Sequence, residues 1–243
     1  HRILRDAYQL NVTVPDGHLV PTVQNRRDYV DWVLGLVKDA GPAVSDSLRI
    51  VDVGCGPVAI YGLLLARLHD TVVILATEID AESYSNAVKT VKDDGLDERI
   101  TVIKIDDPGD LLLSIANSYG KVDLIMCNPP FFDTSDSERV QLCEMTDSEG
   151  RCPGGELAFI ELLIIQSRAV ARIGTCLVGC KGNVQPAKEF CWQAGARSVV
   201  STVFQSGGVR RWAIAWSFDA DVRLPGSSRR TGSVLTEMSS EDP

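Results

Sequence analysis

Short apolar runs, partly β-branched, recur along the chain at residues 48–53, 72–77, 100–105, 122–127 and 175–179, each stopped by glycine, proline or acidic residues. Continuous runs of that length suit parallel strands buried on both faces. The stretches between them carry apolar residues at helical spacing, which predicts helices over 57–68, 81–94, 111–116, 155–171 and 184–194. Two further runs, 199–204 and 211–218, joined through Gly207-Gly208, read as a closing hairpin. Alternating strands and helices predict an α/β domain over 48–218: a mainly parallel seven-stranded sheet, helices on both faces and an antiparallel last strand. Ahead of it, 1–47 reads as a lead-in in which Tyr29, Val30, Val33, Leu34 and Val37 form one helical face directed at the core. Residues 219–243 have the composition of a flexible tail.

The run over 122–127 ends at Asn128-Pro129-Pro130-Phe131. Each proline fixes φ and removes an N–H, so a stiff turn presents acceptors without competing donors. Asn128 adds a side-chain carbonyl and Phe131 an aromatic face. That set suits a planar group bearing an NH2. An aromatic amine is a poor nucleophile because its lone pair is delocalised into the ring; two acceptors, the Asn128 side chain and the Pro129 carbonyl, can hold it with the lone pair aimed at an electrophile. Phe131 would stack on a base taken out of its helix. As a lone tetrapeptide it reads equally well as an ordinary strand-to-loop turn.

Asp52-Val53-Gly54-Cys55-Gly56-Pro57 forms a strand, glycine turn, helix unit. Its glycines let backbone approach a ligand, and a helix opening at Pro57 would add oriented N–H groups. Glu78 ends the second strand, where an acid can accept both hydroxyls of a ribose. Asp106 and Asp107 follow the third strand and would face an adenine edge or cap the next helix. The turn also fits the loose dinucleotide fingerprint, so a dehydrogenase competes. Hydride transfer has no use for Asn-Pro-Pro-Phe, however, and His1, His18 and His69 lie away from strand ends. S-adenosylmethionine accounts for more residues, with its methyl group directed at Asn128. Arg26 and Arg27 open the lead-in helix, where positive charge opposes the helix dipole, so such a residue is either used for another purpose or, equally well by sequence alone, simply solvated.

Composition narrows the field. There are 24 basic and 33 acidic residues, a net charge of −9, which excludes a broad sequence-independent grip on phosphates and leaves only local nucleic-acid contacts. The seven cysteines form an odd set without a CxxC pair, so neither zinc nor a disulfide framework is expected and a reducing compartment is inferred. No apolar stretch reaches membrane-spanning length and no signal peptide is visible. The polar segment 133–153, rich in Ser, Asp and Glu, is long for a connection and suits a functional lid or disorder.

Taken together, Leu19-Val20-Pro21-Thr22-Val23 with Arg26, the Asp-Val-Gly-Cys-Gly turn, Ala76-Thr77-Glu78-Ile79-Asp80, Asn128 to Phe132, Gly154-Gly155-Glu156-Leu157 and the Arg211 to Phe218 strand resemble the methyltransferase-like sixteen family. These are adenine-N6 RNA methyltransferases that modify U6 small nuclear RNA, with bacterial ribosomal RNA adenine-N6 relatives. The resemblance implies a class I S-adenosylmethionine-dependent, Rossmann-like methyltransferase forming N6-methyladenosine in structured RNA, located in the nucleus, with the cytoplasm as the alternative; a monomer with no metal and no membrane is expected. It implies cofactor contacts from Arg26, Gly54 and Glu78, and Asp52, Gly56, Asp106 and Asn128 are counted in the same cofactor-binding set. Catalysis falls to Asn128, Pro129, Pro130 and Phe131, and RNA contacts to Lys181 and Arg211, with Arg210 adding positive charge nearby. Two features depart from the family pattern: Gly208 stands where an arginine is often found, and the loop after Phe132 is acidic rather than longer and basic. A protein glutamine amide is an alternative acceptor for such a turn, and a silent RNA-binding module of the same fold is an alternative class. The chain opens on His1, within the segment after the family's basic N-terminal module. It is therefore expected to bind the cofactor but to hold RNA weakly and methylate poorly.

Overall fold

The computed structural model describes residues 2–18, 22–40, 47–130, 132–133, 150–206 and 209–227. Strand β4 (Val122–Cys127) is buried at every position, as an unbroken apolar run in a central parallel strand must be. Its single charge, Asp123, accepts the Arg49 N–H at 3.0 Å and lies 3.8 Å from Arg172 Nη1. On one side β4 pairs in parallel with β1 (Leu48–Val53), followed by β2 (Val72–Glu78) and β3 (Ile100–Lys104). On the other side lies β7 (Ala171–Val178), also parallel, then β9 (Val209–Ser217) and at the edge β8 (Ser198–Ser206). The order is β3-β2-β1-β4-β7-β9-β8, with β9 antiparallel to both neighbours. A short parallel pair, β5 (Phe132–Asp133) with β6 (Arg151–Cys152), stands apart from the sheet.

Alternation along the strands sorts the core into two layers. Ile50 and Ile74 face helices α2 (Val23–Asp39), α3 (Ile60–Leu68) and α4 (Ala81–Asp93), beside a first helix α1 (Arg2–Tyr8) that adds Leu4. Val51, Ile125 and Trp216 face the layer of α5 (Leu113–Tyr119), α6 (Gly155–Val170) and α7 (Lys181–Gln193). The chain runs outward from β1 to β3 and returns to start β4 on the opposite side of β1. The crevice at the carboxyl ends of β1 and β4 is thus the topological switch point, where open α/β sheets bind ligands.

Several boundaries differ from the sequence expectation. Helix α3 opens at Ile60, not Pro57, because Gly54, Gly56 and Ala59 all have positive φ (68°, 68° and 47°), which keeps 57–59 in a turn. Strand β7 begins at Ala171, where α6 runs straight into the sheet without a loop. The tail assignment fails for its first residues: Val222 and Leu224 are buried, the Leu224 N–H donates to Ser198 Oγ, and Asp219 pairs with Lys121 at 2.8 Å. The Leu19 to Pro21 part of the resemblance, Phe131, most of the acidic loop and the Gly207-Gly208 turn lie outside the described residues. Among the described residues, no helix is long and apolar enough to cross a membrane, and no group of three metal-ligating side chains assembles.

Candidate functional site

At the switch point a cavity of about 820 Å³ opens, on the scale of pockets that enclose small ligands. Its floor is the glycine turn, which continues the β1–β2 ladder by other means. Gly54 N–H donates to Thr77 Oγ1 (3.3 Å), Cys55 N–H to the Thr77 carbonyl (2.8 Å) and Gly56 N–H to Glu78 Oε2 (2.8 Å). A Cβ at Gly54 or Gly56 would meet nothing within 4 Å, so left-handed backbone, not crowding by protein, is what requires glycine there.

Glu78 is buried and fixed. Its Oε1 accepts the N–H groups of Ile79 and Asp80, both at 2.8 Å, while Oε2 accepts that of Gly56. Burial pushes the carboxyl above its ordinary range, and these three N–H groups oppose the shift. A carboxylate has about four acceptor positions. Three are taken, so the structure leaves room for one ribose hydroxyl where the sequence suggested two.

Arg26 and Arg211 form one end of the cavity. Arg26 Nη1 donates to Tyr61 Oη at 2.8 Å, and the Nε atoms of both arginines are buried without a partner. Burial, then the neighbouring Arg26, lowers the pKa of Arg211. Two close guanidiniums with unused donors call for an anion. Arg27, the other candidate, bonds Asp31 and Tyr8 instead.

Asn128 and Pro130 belong to the wall between these features, and Pro129 does not. Asn128 Oδ1 is buried and accepts no hydrogen bond. Opposite, Cys152, Pro153, Phe159 and Leu162 supply an apolar face, and Asp107 to Leu111 close the side.

Two proposed cofactor residues fall elsewhere. Asp106 is exposed and paired with Lys104 at 3.1 Å; its neighbour Asp107 reaches the cavity and accepts the Gly109 N–H. Neither caps α5, which begins at Leu113 and whose Ser114 N–H is taken by Asp110. Asp52 lies behind the cavity wall: strand alternation turns it with Ile50 toward the Arg26 side, fully buried, its carboxylate oxygens meeting no more than a weak approach from the Gly62 N–H. Burial raises it to about 7, Arg26 opposing and Glu78 adding to the shift. Lys181 and Arg210 are exposed and off the cavity, whereas Arg211 sits inside it.

Sequence reasoning missed Gln166. From α6 its Oε1 accepts the Leu111 and Leu112 N–H groups (3.0 and 2.9 Å) and its Nε2 donates to the Gly109 carbonyl (2.6 Å), which fixes the loop at the cavity's side. Glu156 stands out in the sequence only as part of the resemblance; it accepts from Gly179 N–H and Asn183 Nδ2 and ties α6 to the β7–α7 junction.

This strand order, with a glycine-floored cavity and an acid at the end of β2, defines a class I methyltransferase fold. A family model described as RNA methyltransferase matches residues 1–220, and the chain belongs to that family. It is 32% identical to the RNA N(6)-adenosine-methyltransferase METTL16 of Mus musculus, over 92% of this chain and 43% of that protein. It is 29% identical to the U6 small nuclear RNA (adenine-(43)-N(6))-methyltransferase of Drosophila melanogaster, over 93% of this chain and 79% of that protein. The solved human METTL16 catalytic domain, in complex with MAT2A 3'UTR hairpin 6, superimposes with a TM-score of 0.80 at 32% identity, covering 92% of this chain and 81% of that one. The chain spans about half the length or less of its vertebrate relatives.

Proposed function

We propose that this chain transfers a methyl group from S-adenosylmethionine to the exocyclic N6 of adenine in structured RNA, with U6 small nuclear RNA as the leading substrate. The observation that carries the reading is Asn128 Oδ1, a buried acceptor without a partner on the wall of the cavity that Glu78 and Arg26 share. An unpaired buried acceptor is costly, so its use comes with a ligand's N–H.

The residues fit the cofactor. Arg26, helped by Arg211, has free donors for the carboxylate of the amino-acid part. Glu78 takes a ribose hydroxyl, the open face of Gly54 and Gly56 admits the chain between them, and Asp107 with the apolar face of Phe159 and Leu162 accommodates the adenine. When bound, S-adenosylmethionine supplies an electrophilic methyl group. Asn128 Oδ1 and the Pro129 carbonyl each accept one N–H of the target amine and orient its lone pair, the proton displaced by N-methylation leaving from that nitrogen. Phe131 next in sequence is the stacking partner, and Pro130 stiffens the turn. Lys181 and Arg210 are surface contacts for phosphates outside the cavity, and Arg211 works mainly within it. A nuclear enzyme accords with the U6 small nuclear RNA named for the Drosophila melanogaster relative.

Asn128→Ala should keep the fold and cofactor affinity and lose at least about a hundredfold in kcat, the scale of removing one preorganised acceptor. Nucleoside mass spectrometry of hairpin RNA after reaction reads N6-methyladenosine directly. Wild-type turnover in the variant would refute the assignment, and methylated glutamine in a protein extract, with unmodified RNA, would transfer the activity to the amide class.

A further inference from the structure

The β4–β7 ladder stops early. Its register pairs Val122 with Ala171, Leu124 with Ile173 and Ile125 with Gly174, and goes no further, although β7 continues to Val178 against β9. On its other side β4 stays paired through Cys127, opposite Val53 of β1. The last residues of β4 before Asn128 therefore lose their β7 partner where the site needs them fixed.

Side chains fill the opening. Cys127 N–H donates to Tyr29 Oη at 3.3 Å, Tyr29 Oη lies 2.8 Å from Thr175 Oγ1, and Thr175 Oγ1 donates to the Ile125 carbonyl at 2.9 Å. Proton counting fixes the direction. Thr175 has one hydroxyl hydrogen and spends it on Ile125, so Tyr29 is the donor to Thr175 and turns a lone pair to Cys127 N–H. A longer 3.4 Å approach of Tyr29 Oη to the Cys127 carbonyl competes for the same hydrogen. Tyr29, Ile125 and Thr175 are fully buried and Cys127 nearly so, out of reach of bulk water.

Tyr29 also belongs to the cofactor side. It follows Arg26 by three residues on α2, one face of the helix. Its ring meets Tyr61 edge-on at 5.6 Å and 84°, and Tyr61 is the acceptor of Arg26. A phenylalanine would fill the same space and make the same ring contact. The hydrogen bonds to the strand run through the hydroxyl.

We propose that Tyr29 is a positioning residue for methyl transfer: its hydroxyl, relayed through Thr175, replaces the missing ladder bond at Cys127 and so sets the direction in which Asn128, the next residue, points. The proposal rests on the role of Asn128 given above. The test compares Tyr29→Phe, Thr175→Val and Thr175→Ser with wild type and Asn128→Ala, all normalised to cofactor-binding molecules. Tyr29→Phe and Thr175→Val should each lose about tenfold in kcat while KM for RNA and Kd for S-adenosylmethionine stay within about twofold, because the reacting amine is misdirected and not unbound. The double variant should fall no further than Tyr29→Phe, and Thr175→Ser, which keeps the hydroxyl, should stay near wild type. The Cys127 amide should exchange with deuterium faster in Tyr29→Phe. If Tyr29→Phe does not fold, the Thr175 pair decides by itself. Wild-type kcat in Tyr29→Phe beside an inactive Asn128→Ala overturns the positioning role alone, as does an equal loss in Thr175→Ser and Thr175→Val. An active Asn128→Ala overturns the reading of the turn on which the proposal stands.

Discussion

Asp52 is a carboxyl poised between charge states: fully buried, weakly approached by the Gly62 N–H, and raised to about 7 by burial against the pull of Arg26. In the unfolded chain it ionises at the ordinary carboxylate value of 3.8. Between those values the folded protein holds a proton that the unfolded one has lost, so this group makes stability fall as pH rises through that window. Asp52→Asn keeps the shape and removes the charge. Thermal melts should show the variant gaining on wild type as pH rises toward 8, most steeply below 7; a difference that does not change with pH would refute the charged-state argument. Glu156, also raised by burial, contributes equally to both proteins and cancels in the comparison, whereas Glu78, released from the Asp52 charge in the variant, adds to the same trend. The turn after β1 is legible from its glycines, and Asn128 from the prolines behind it. That Asp52 faces away from the cavity follows from the period of two counted from Ile50, which a turn-centred reading passes over. Gln166 offers no local signal, since its three partners lie 54 to 57 residues away in the chain.

The strands are legible because two-sided burial demands apolar runs, and the hairpin because glycines separate two of them. Element starts are not, where backbone geometry overrides pattern: Pro57 looks like a first helical residue, yet the left-handed Ala59 delays α3 to Ile60. Nor does the sequence signal that Gly174 exists to admit Trp216. In register with Gly174, the fully buried Trp216 lays its indole where a Cβ would stand, its Nε1 donating to Ser167 Oγ at 2.8 Å. Gly174→Ala must therefore displace a ring anchored at its far end and should cost about 1–3 kcal/mol or more. Gly35 makes the control, exposed in the middle of α2, with nothing within 4 Å of the place an added methyl would take and no positive φ. Gly35→Ala should stabilise by about 0.5–1 kcal/mol through helix propensity. At roughly 2–4 °C per kcal/mol for a domain of this size, calorimetry should show melting temperatures moving in opposite directions, and a Gly174→Ala protein as stable as wild type would mean the indole is not confined as described.

For the whole molecule the governing quantity is charge. A net −9 spread over 243 residues repels a polyanion, so attraction must come from few places. Lys181 and Arg210 are exposed outside the cavity, while Arg211 is half-buried near Arg26 in the cavity lining. Each phosphate neutralised releases counterions and contributes roughly −0.7 to −0.9 to the slope of log affinity against log salt. Two or three such contacts give a slope no steeper than about −3, as expected if the proposed RNA substrate is held mainly through its target base. Arg210→Ala should therefore weaken hairpin binding evenly across sequences and flatten the slope by about 0.7, with cofactor affinity untouched. Arg211→Ala should do the reverse, costing S-adenosylmethionine affinity more than it changes the slope, because its unpaired Nε belongs to the cavity. Fluorescence anisotropy with labelled hairpin RNA at several salt concentrations, alongside calorimetry with the cofactor, separates the two arginines. A wild-type slope of about −5 or steeper would show phosphate contacts well beyond these residues, and an Arg211→Ala loss confined to RNA would return that residue to the RNA surface.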